Sequence, residues 1–306
     1  MPEREVGPVV AYERSPGPDP AAFNFYRTTN DLSRLGDKYN KTGLEKLFLS
    51  GSESISSEEQ VRSVYHQAGV KRLYFANLRL ESNVIVDKYP VVLRGPMDWS
   101  KVGMSRQEAL DSEKQWVAEL KEQPFVEIQS WKDIKAGKEE PRSICIDHPV
   151  IRTEDEIVQA IPDLDIEFRR FTVIDHLRPQ RHDVDRFTQL VAEMPEGSGL
   201  HLHCAGGRGR TTTFMTMFDM LHNASEVSAK DIIERQEVLG YSYKLASLDP
   251  NKLHKQNYHA DRLNFLYLFY EYAKRNPLGK PMSWAEWRES DATSPGTPDR
   301  ESITDF

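Results

Sequence analysis

Short apolar runs and amphipathic segments alternate along the chain, and this pattern predicts an α/β fold. The segments at residues 72–78, 171–174 and 198–202 are short and either apolar or alternating, as is typical of strands. An apolar helix is predicted over residues 211–221, directly after the last of these strands. Further helices are predicted at residues 56–68 and 183–194. We therefore expect a central sheet flanked by helices.

The pattern changes between residues 82 and 159, where it predicts a stretch of short strands and turns. Its predicted elements are a hairpin at residues 84–93, an amphipathic helix at 106–121, and strands at 125–128 and 144–146. Cys145 lies in the last of these strands and is expected to be a buried strand residue.

This stretch divides the predicted core into two parts, residues 23–81 and residues 160–277. Residues 1–22 are rich in proline, glutamate and glycine and are expected to form a mobile tail. Residues 278–306 are expected to form a C-terminal tail, in which residues 283–288 make a helical turn that docks by its tryptophans.

The junction between the strand at 198–202 and the helix at 211–221 carries the residues most able to support chemistry. A cysteine, Cys204, and an arginine, Arg210, are separated there by five residues. These five are Ala205, Gly206, Gly207, Arg208 and Gly209. Glycines let the backbone curl so that its N–H groups face one point, which suits the oxygens of a phosphoryl group. The junction therefore predicts a phosphate-binding loop at a helix N-terminus.

Cys204 and Arg210 have complementary roles in such a loop. A helix N-terminus and nearby cations favour the thiolate form of Cys204, and the thiolate is the nucleophile. The planar guanidinium of Arg210 can bond two phosphoryl oxygens at once. Thr211 can donate its hydroxyl to the sulfur, which makes the thiolate a better leaving group. The alternatives are a cysteine that serves only as a small buried hydrophobic residue, or a loop of the rhodanese or arsenate-reductase type.

Hydrolysis of a phosphate ester also needs an acid that protonates the departing oxygen. Asp175 is the candidate, because it follows the strand at 171–174 and precedes Pro179, which restrains the next loop. The alternative role for Asp175 is a helix N-cap, for which Asp183 is better placed. His176 is expected to orient this loop or to bond a phosphate. A metal role for His176 is disfavoured, because no second histidine stands at a ligand spacing on a helical face.

The loop resembles the signature of cysteine-based phosphatases with the protein tyrosine phosphatase fold, and more closely that of the protein-tyrosine-phosphatase-like phytases. The resemblance spans about residues 25–275. Besides the loop, it is carried by the segments at residues 43–52, 78–82, 174–179, 231–236 and 264–272. It implies a protein-tyrosine-phosphatase-like core with a small β-rich insertion beside the active site, a cysteinyl-phosphate intermediate, and no cofactor or metal.

The resemblance also implies roles for residues outside the loop. His203 is expected to buttress the phosphate loop, and Arg27 stands at a position that contacts substrate phosphate in the family. Lys252 and Lys255 precede the last core helix, near where related enzymes bind inositol phosphates with lysines. For either lysine alone, an ordinary solvated side chain is an equal alternative.

Several residues depart from the family pattern at the rim of the site. Ala205 and Arg208 replace a glutamate and a small residue, Asn83-Val84 replaces His-Gly, and Arg178 stands where a tryptophan is common. Arg178 and Arg208 either bind additional phosphates or pair with surface carboxylates. The catalytic groups are kept, so the departures concern the preference for substrate.

Composition limits the class of protein further. The chain has 306 residues, of which 38% are hydrophobic, and a formal net charge of −8. It contains no run of about 20 apolar residues, and the first 25 residues lack the apolar core of a signal peptide. We expect a soluble protein that is mature, never carried such a signal, or is exported by a route that needs none. Two cysteines, one of them a nucleophile, predict no permanent disulfide.

A negatively charged chain that binds a polyanion needs a locally basic cleft. The candidate residues are Arg27, Arg178, Arg181, Arg208, Arg210, Lys252 and Lys255. Nucleic acid and membrane are not expected as partners, because the chain has neither a basic run interleaved with aromatic residues nor a membrane span. The sequence predicts a metal-independent phosphomonoesterase of inositol polyphosphates such as phytate. The alternatives are a protein tyrosine phosphatase, for example a secreted effector, and a catalytically silent phosphate-binding module.

Overall fold

The computed structural model describes residues 9–16, 21–22, 25–27, 32–245, 256–278 and 282–292. The strands in this part of the chain are β1 (Val9–Tyr12), β2 (Tyr26–Arg27), β3 (Leu49–Ser52), β4 (Leu73–Arg79), β5 (Asn83–Val86), β6 (Tyr89–Arg94), β7 (Phe125–Ser130), β8 (Ser143–Asp147), β9 (Ile151–Arg152), β10 (Ile166–Val173) and β11 (Gly199–His203). The α-helices are α1 (Glu58–Ala68), α2 (Arg106–Lys121), α3 (Trp131–Lys135), α4 (Glu154–Gln159), α5 (Arg181–Glu193), α6 (Gly209–Asn223), α7 (Ala229–Leu239), α8 (Gln256–Arg275) and α9 (Trp284–Ala292).

Four parallel strands form most of a five-stranded sheet, in the order β10-β4-β11-β3-β2. The short strand β2 adds an antiparallel edge. Every residue of β4 and β11 is buried, because helices that connect parallel strands cover both faces of the sheet. The α/β core that the sequence predicts is confirmed.

Successive residues of β4 point to opposite faces of this sheet and join two different apolar clusters. Tyr74, Ala76 and Leu78 join a cluster built with α5 to α9, and Leu73 and Phe75 join one built with α1 and α4. The predicted docking of the C-terminal turn is confirmed, because the two tryptophans of α9 are 3% and 6% exposed and belong to the first cluster.

A second sheet has six strands in the order β8-β7-β1-β6-β5-β9. Its strands other than β1 lie within residues 82–159, the range predicted for the insertion. The mobile tail predicted for residues 1–22 is wrong for residues 9–12, which form β1 between β6 and β7. A run of four residues beside proline and glycine is too short to show the alternation of a strand in the sequence. Backbone pairing with β6 on one side and β7 on the other makes residues 9–12 a strand.

The prediction that Cys145 is buried is also wrong. Cys145 is exposed, as are Ser143 and Asp147 beside it in β8. The reason is that side chains of a strand alternate between the two faces of its sheet, and Cys145 lies on the exposed face, where its partner Glu127 of β7 is exposed too.

The helix predicted at 106–121 agrees with α2, and a capping box between Ser105 and Glu108 starts it. Among the helices of the described residues, none combines the length and the apolar character that crossing a bilayer requires.

Candidate active site

Three strands of the five-stranded sheet end at one edge, and each is followed by a group of the site. Because β4, β10 and β11 are parallel, their carboxyl ends meet there. Glu81 follows β4, Asp175 follows β10 and Cys204 follows β11. The parallel order of the sheet therefore brings together residues that are far apart in the chain.

Cys204 lies between the end of β11 and the start of α6, and its side chain is 4% exposed. The hydroxyl of Thr211 donates a hydrogen bond to Sγ of Cys204 over 3.2 Å. The hydroxyl and the N-terminus of α6 both place positive partial charge beside the sulfur. These contacts are the ones that the spacing of the two residues predicts.

The backbone of the phosphate loop is held from the side of β2 and β3. The N–H of Ser54 donates to the carbonyl of Ala205 over 3.3 Å, and the hydroxyl of Tyr26 donates to the carbonyl of Gly207 over 3.3 Å. Burial raises the pKa of Tyr26 far above its usual value, so its hydroxyl stays a neutral donor.

Gly207 is the glycine that the loop needs most. Its φ is +61°, and a Cβ added to it would lie 2.6 Å from the backbone of Ser52 and Glu53. Gly206 has open space around it, and a Cβ on Gly209 would lie 2.9 Å from Nη1 of Arg262. The close passage of the loop against the end of β3 therefore requires glycine at position 207.

Arg210 is gripped by Glu81 in a two-bond fork. Nη1 of Arg210 donates to Oε2 of Glu81 over 2.6 Å, and Nη2 donates to Oε1 over 2.8 Å. Nη1 also donates to the carbonyl of Val173 over 3.2 Å, and Nε lies 3.2 Å from Oδ1 of Asp175. The edge formed by Nε and the second hydrogen of Nη2 is the one that can engage a phosphoryl group, and Asp175 lies against its Nε.

Both members of this fork are buried and charged. Burial by itself would lower the pKa of Arg210, but Asp175 and Glu81 raise it well above its usual value. Burial would likewise raise the pKa of Glu81, but Arg210 and Arg79 lower it. The sequence indicated Glu81 only as part of a segment that ends a strand, and the signal for its role is a carboxylate at the carboxyl end of a core strand.

The loop that carries the predicted acid, residues 175–180 and called the acid loop below, is held by groups from other elements. Nε1 of Trp99 donates to the carbonyl of Asp175 over 3.0 Å, and Nη2 of Arg262 donates to the carbonyl of His176 over 2.6 Å. The imidazole Nε2 of His176 lies 3.2 Å from Oδ2 of Asp175, so the ring stands beside the acid. His176 has a φ of +68°, and the bond from Arg262 fixes this uncommon conformation.

The charge state of Asp175 depends on its neighbours. Burial would raise its pKa, but Arg210 and His176 together lower it well below its usual value. Without a ligand, Asp175 is therefore ionised.

The expectation that Asp183 caps the next helix is wrong, because α5 begins at Arg181 and Oδ1 of Asp183 instead accepts a bond from the backbone N–H of Thr172 over 3.1 Å.

Asp98 is a second carboxyl near the site that the sequence did not indicate. Its Oδ2 pairs with Nη1 of Arg94, and its φ of +61° is uncommon for a residue other than glycine. Burial raises the pKa of Asp98 to about 7. The negative charges of Glu81 and Asp175 act in the same direction, and the positive charge of Arg94 acts against them. Asp98 therefore gains or loses a proton near neutral pH.

His203 precedes Cys204 and is completely buried. Its Nε2 lies 3.2 Å from Oε2 of Glu154, at the start of α4. Burial would raise the pKa of Glu154, but His203 and nearby arginines lower it to about 2. His203 thus ties β11 to the segment that connects the second sheet to the core. Its predicted contribution to holding the phosphate loop stays a prediction.

The basic residues predicted for the rim have different surroundings. Nε of Arg178 lies 3.1 Å from Oδ2 of Asp261, which corresponds to the ion-pair alternative. Arg208 and Arg181 are exposed, and Arg208 stands at the start of α6. Arg27 pairs with Ser50 by its backbone in β2. The predicted positions Lys252 and Lys255 lie outside the described residues.

Within the described ranges, no three histidine, cysteine, aspartate or glutamate side chains are grouped as a metal ion would require.

The fold and the site together define the class of this protein: a phosphate loop between β11 and α6, with a cysteine and an arginine at its ends, on the core of the protein tyrosine phosphatase fold. The sequence model of the PTP-like phytase family, described as "Inositol hexakisphosphate", matches residues 76–222. The family match covers just under half of the chain, and the protein resembles the PTP-like phytases in sequence and in fold.

Known proteins are similar over nearly the whole chain. The effector protein hopD2 of Pseudomonas syringae pv. tomato is 36% identical over 281 residues, which are 92% of this chain and 59% of hopD2. The PTP-like myo-inositol phosphatase from Mitsuokella multacida, solved with myo-inositol-(1,3,4,5)-tetrakisphosphate, aligns with a TM-score of 0.81 and 27% identity over 95% of this chain and 49% of that one. A PTP-like phytase from Bdellovibrio bacteriovorus aligns with a TM-score of 0.69 and 28% identity over 92% of this chain and 95% of that one. The chain thus spans 59% of hopD2 and about half of the Mitsuokella protein.

Proposed function

We propose that the protein is a phosphomonoesterase that hydrolyses inositol polyphosphates such as phytate through a cysteinyl-phosphate intermediate. The observation that carries this proposal is the arrangement around Arg210. Its guanidinium is fixed by Glu81, it faces Asp175 at 3.2 Å, and it closes the loop that begins with Cys204. Nucleophile, phosphate anchor and acid therefore lie at one edge of the sheet.

In the first step, the thiolate of Cys204 attacks phosphorus and the bond from phosphorus to the ester oxygen breaks. The proton of the Asp175 carboxyl passes to that oxygen, so the substrate leaves as a neutral alcohol. Arg210 binds two of the remaining phosphoryl oxygens as charge develops on them. The product is a cysteinyl-phosphate on Cys204.

In the second step, a water molecule attacks phosphorus and the bond from sulfur to phosphorus breaks. The carboxylate of Asp175 accepts the proton of the water, and Cys204 leaves as a thiolate. The hydroxyl of Thr211, 3.2 Å from the sulfur, stabilises the charge on the leaving group. Inorganic phosphate is released and the enzyme returns to its first state.

The first step needs a protonated Asp175, whereas the site without ligand holds this residue ionised. A phosphate dianion on the edge of Arg210 formed by Nε and Nη2 changes this balance, because it takes the place of the Asp175 carboxylate there. It engages the cation that lowers the pKa of Asp175, and it adds negative charge beside the carboxyl. Binding of substrate therefore favours uptake of the proton that the first step uses.

The proposed substrate class is supported by the matching family, described by inositol hexakisphosphate, and by the inositol tetrakisphosphate bound to the Mitsuokella protein. The exposed Arg208 at the mouth of the loop is a suitable group for a further phosphate. A second candidate function is that of a protein tyrosine phosphatase acting as a secreted effector. The similarity to hopD2, which is named an effector protein, favours this alternative.

The test is release of phosphate from phytate and from a phosphotyrosyl peptide, measured side by side with EDTA present. Cys204→Ser is expected to abolish release, and Cys145→Ser, which changes the exposed cysteine of β8, is the matched control. Faster release from phytate supports the proposal. Preference for the peptide supports the tyrosine phosphatase, and full activity of Cys204→Ser rejects both.

A further inference from the structure

A buried carboxylate from the N-terminal segment reaches the neighbourhood of the site. Glu13 follows β1, and its side chain is 7% exposed. Its Oε2 accepts a bond from Nη1 of Arg79 over 3.0 Å and one from the hydroxyl of Ser54 over 2.6 Å. Its Oε1 accepts a bond from Nη2 of Arg94 over 2.9 Å. Glu13 is thus shared between two buried arginines.

One of these arginines continues to the active site. Arg79 is 1% exposed, and its Nε lies 3.7 Å from Oε1 of Glu81, the residue that grips Arg210. Glu13, Arg79, Glu81 and Arg210 therefore form a row of alternating charges. The row runs from the second sheet to the phosphate anchor.

The charges in this row are interdependent because they are buried. Burial would raise the pKa of Glu13, but Arg79 and Arg94 lower it below its usual value, so the residue is ionised. A buried cation that loses its carboxylate binds another one if any is in reach. For Arg79 that carboxylate is Glu81, which Arg210 needs for its orientation.

We propose that Glu13 is a positioning residue for Arg210: by engaging Arg79 it prevents this arginine from drawing Glu81 away from the phosphate-binding guanidinium. The inference rests on the proposed phosphatase activity. It adds to the site a residue outside the stretch that matches the family, since that match begins at residue 76. The strand β1, paired on both sides, is what holds Glu13 in place.

The test uses p-nitrophenyl phosphate, which requires phosphatase chemistry but not the inositol ring. Glu13→Gln is expected to lower kcat/KM roughly tenfold, and to weaken inhibition by vanadate, an analogue of the phosphoryl transition state, by a similar factor. The matched control is Glu58→Gln, which removes a carboxylate bonded to Arg152 over 2.7 Å at a half-exposed site of α1. This control is expected to leave both values within about twofold of the parent.

A second pair of variants separates positioning from folding. If Glu13 acts through Arg79, Glu13→Gln has little further effect in an Arg79→Met background, because no freed arginine remains to compete for Glu81. Equal effects in both backgrounds overturn the proposal. So does a Glu13→Gln protein that melts earlier but keeps kcat/KM and vanadate inhibition per folded molecule.

Glu13→Asp carries the test if the glutamine variant does not fold. Its shorter side chain keeps the charge but cannot span both arginines, so the same loss in kcat/KM and vanadate inhibition is expected, and parental values overturn the proposal. A parent protein that releases phosphate from p-nitrophenyl phosphate but not from phytate contradicts the proposed substrate and leaves this test in place. A parent that hydrolyses neither contradicts the phosphatase activity itself.

Discussion

The phosphate loop and the acid loop meet at Arg210, and they are held in different ways. Cys204, Arg210 and Thr211 lie within eight positions of one another, and the turn between β11 and α6 sets their geometry. The acid loop has a local turn bond, from the N–H of Leu177 to the carbonyl of Ile174 over 3.3 Å. Its carbonyls are bonded by Trp99 and Arg262, which come from distant parts of the chain. The comparison teaches that the proposed nucleophile is placed mainly by its own turn, whereas the proposed acid is placed mainly by tertiary contacts.

The largest loss of activity is expected from a change of Arg210, which contacts both loops. Arg210→Lys keeps a positive charge but loses the fork to Glu81 and the two-bond edge for phosphate, so we expect kcat/KM to fall about 10³-fold. Kinetics of phosphate release measure this loss. Arg186→Lys, an exposed change in α5, is the control and should be close to the parent. A lysine enzyme within tenfold of the parent contradicts the role given to the fork.

A smaller loss is expected when the acid loop alone is changed. Asp175→Asn removes the proton donor, and we expect turnover of phytate to fall about 10²-fold. Turnover of p-nitrophenyl phosphate should change much less, because its leaving group needs no proton. Asp165→Asn, at a half-exposed position before β10, serves as the control. Equal losses on both substrates are inconsistent with a proton donor.

Substitution of Arg262, which anchors the acid loop to α8, tests the tertiary support of that loop. Arg262→Met removes the bond to the carbonyl of His176, and we expect kcat for phytate to fall roughly tenfold because the acid is no longer held in reach of the leaving group. The p-nitrophenyl phosphate rate should be affected less, as for the Asp175 variant. Lys274→Met on the exposed side of α8 is the comparison. A uniform loss on both substrates indicates damage to the phosphate loop through Gly209 instead.

The smallest effect concerns stability and not turnover. The pKa of Asp98 is raised from 3.8 to about 7, so the folded protein holds this proton more tightly than the unfolded chain does. The stabilisation that this group provides is complete below pH 3.8 and is lost as the pH rises to about 7. Asp98→Asn, which cannot ionise, should therefore gain roughly 3 kcal/mol in unfolding free energy relative to the parent between pH 5 and pH 8. Denaturant titrations at the two pH values measure it, and a constant difference contradicts the raised pKa.

Several features of the site could be predicted because they are local. The strand, the turn with its glycines and the helix stand in one stretch, so spacing alone indicated Cys204, Arg210 and Thr211. Glu81 could not be assigned in this way, because it is 129 positions from the arginine that it grips. Asp183 illustrates the opposite error. Its position suggested a helix cap, but the fold buries it and its carboxylate accepts a hydrogen bond from the backbone N–H of Thr172.

By itself, the sequence determined the α/β pattern, the phosphate loop and the candidate acid, because hydrophobic periodicity and the order of residues in one turn are properties of neighbours in the chain. Only the tertiary structure decided which strands lie side by side, that residues 9–12 form a strand of the second sheet, and that Glu13, Glu81 and Arg262 surround the catalytic groups. The physical reason is burial. The sequence shows that a residue is charged but not which residue it pairs with. The pairing is set by the long-range packing that buries both residues away from water.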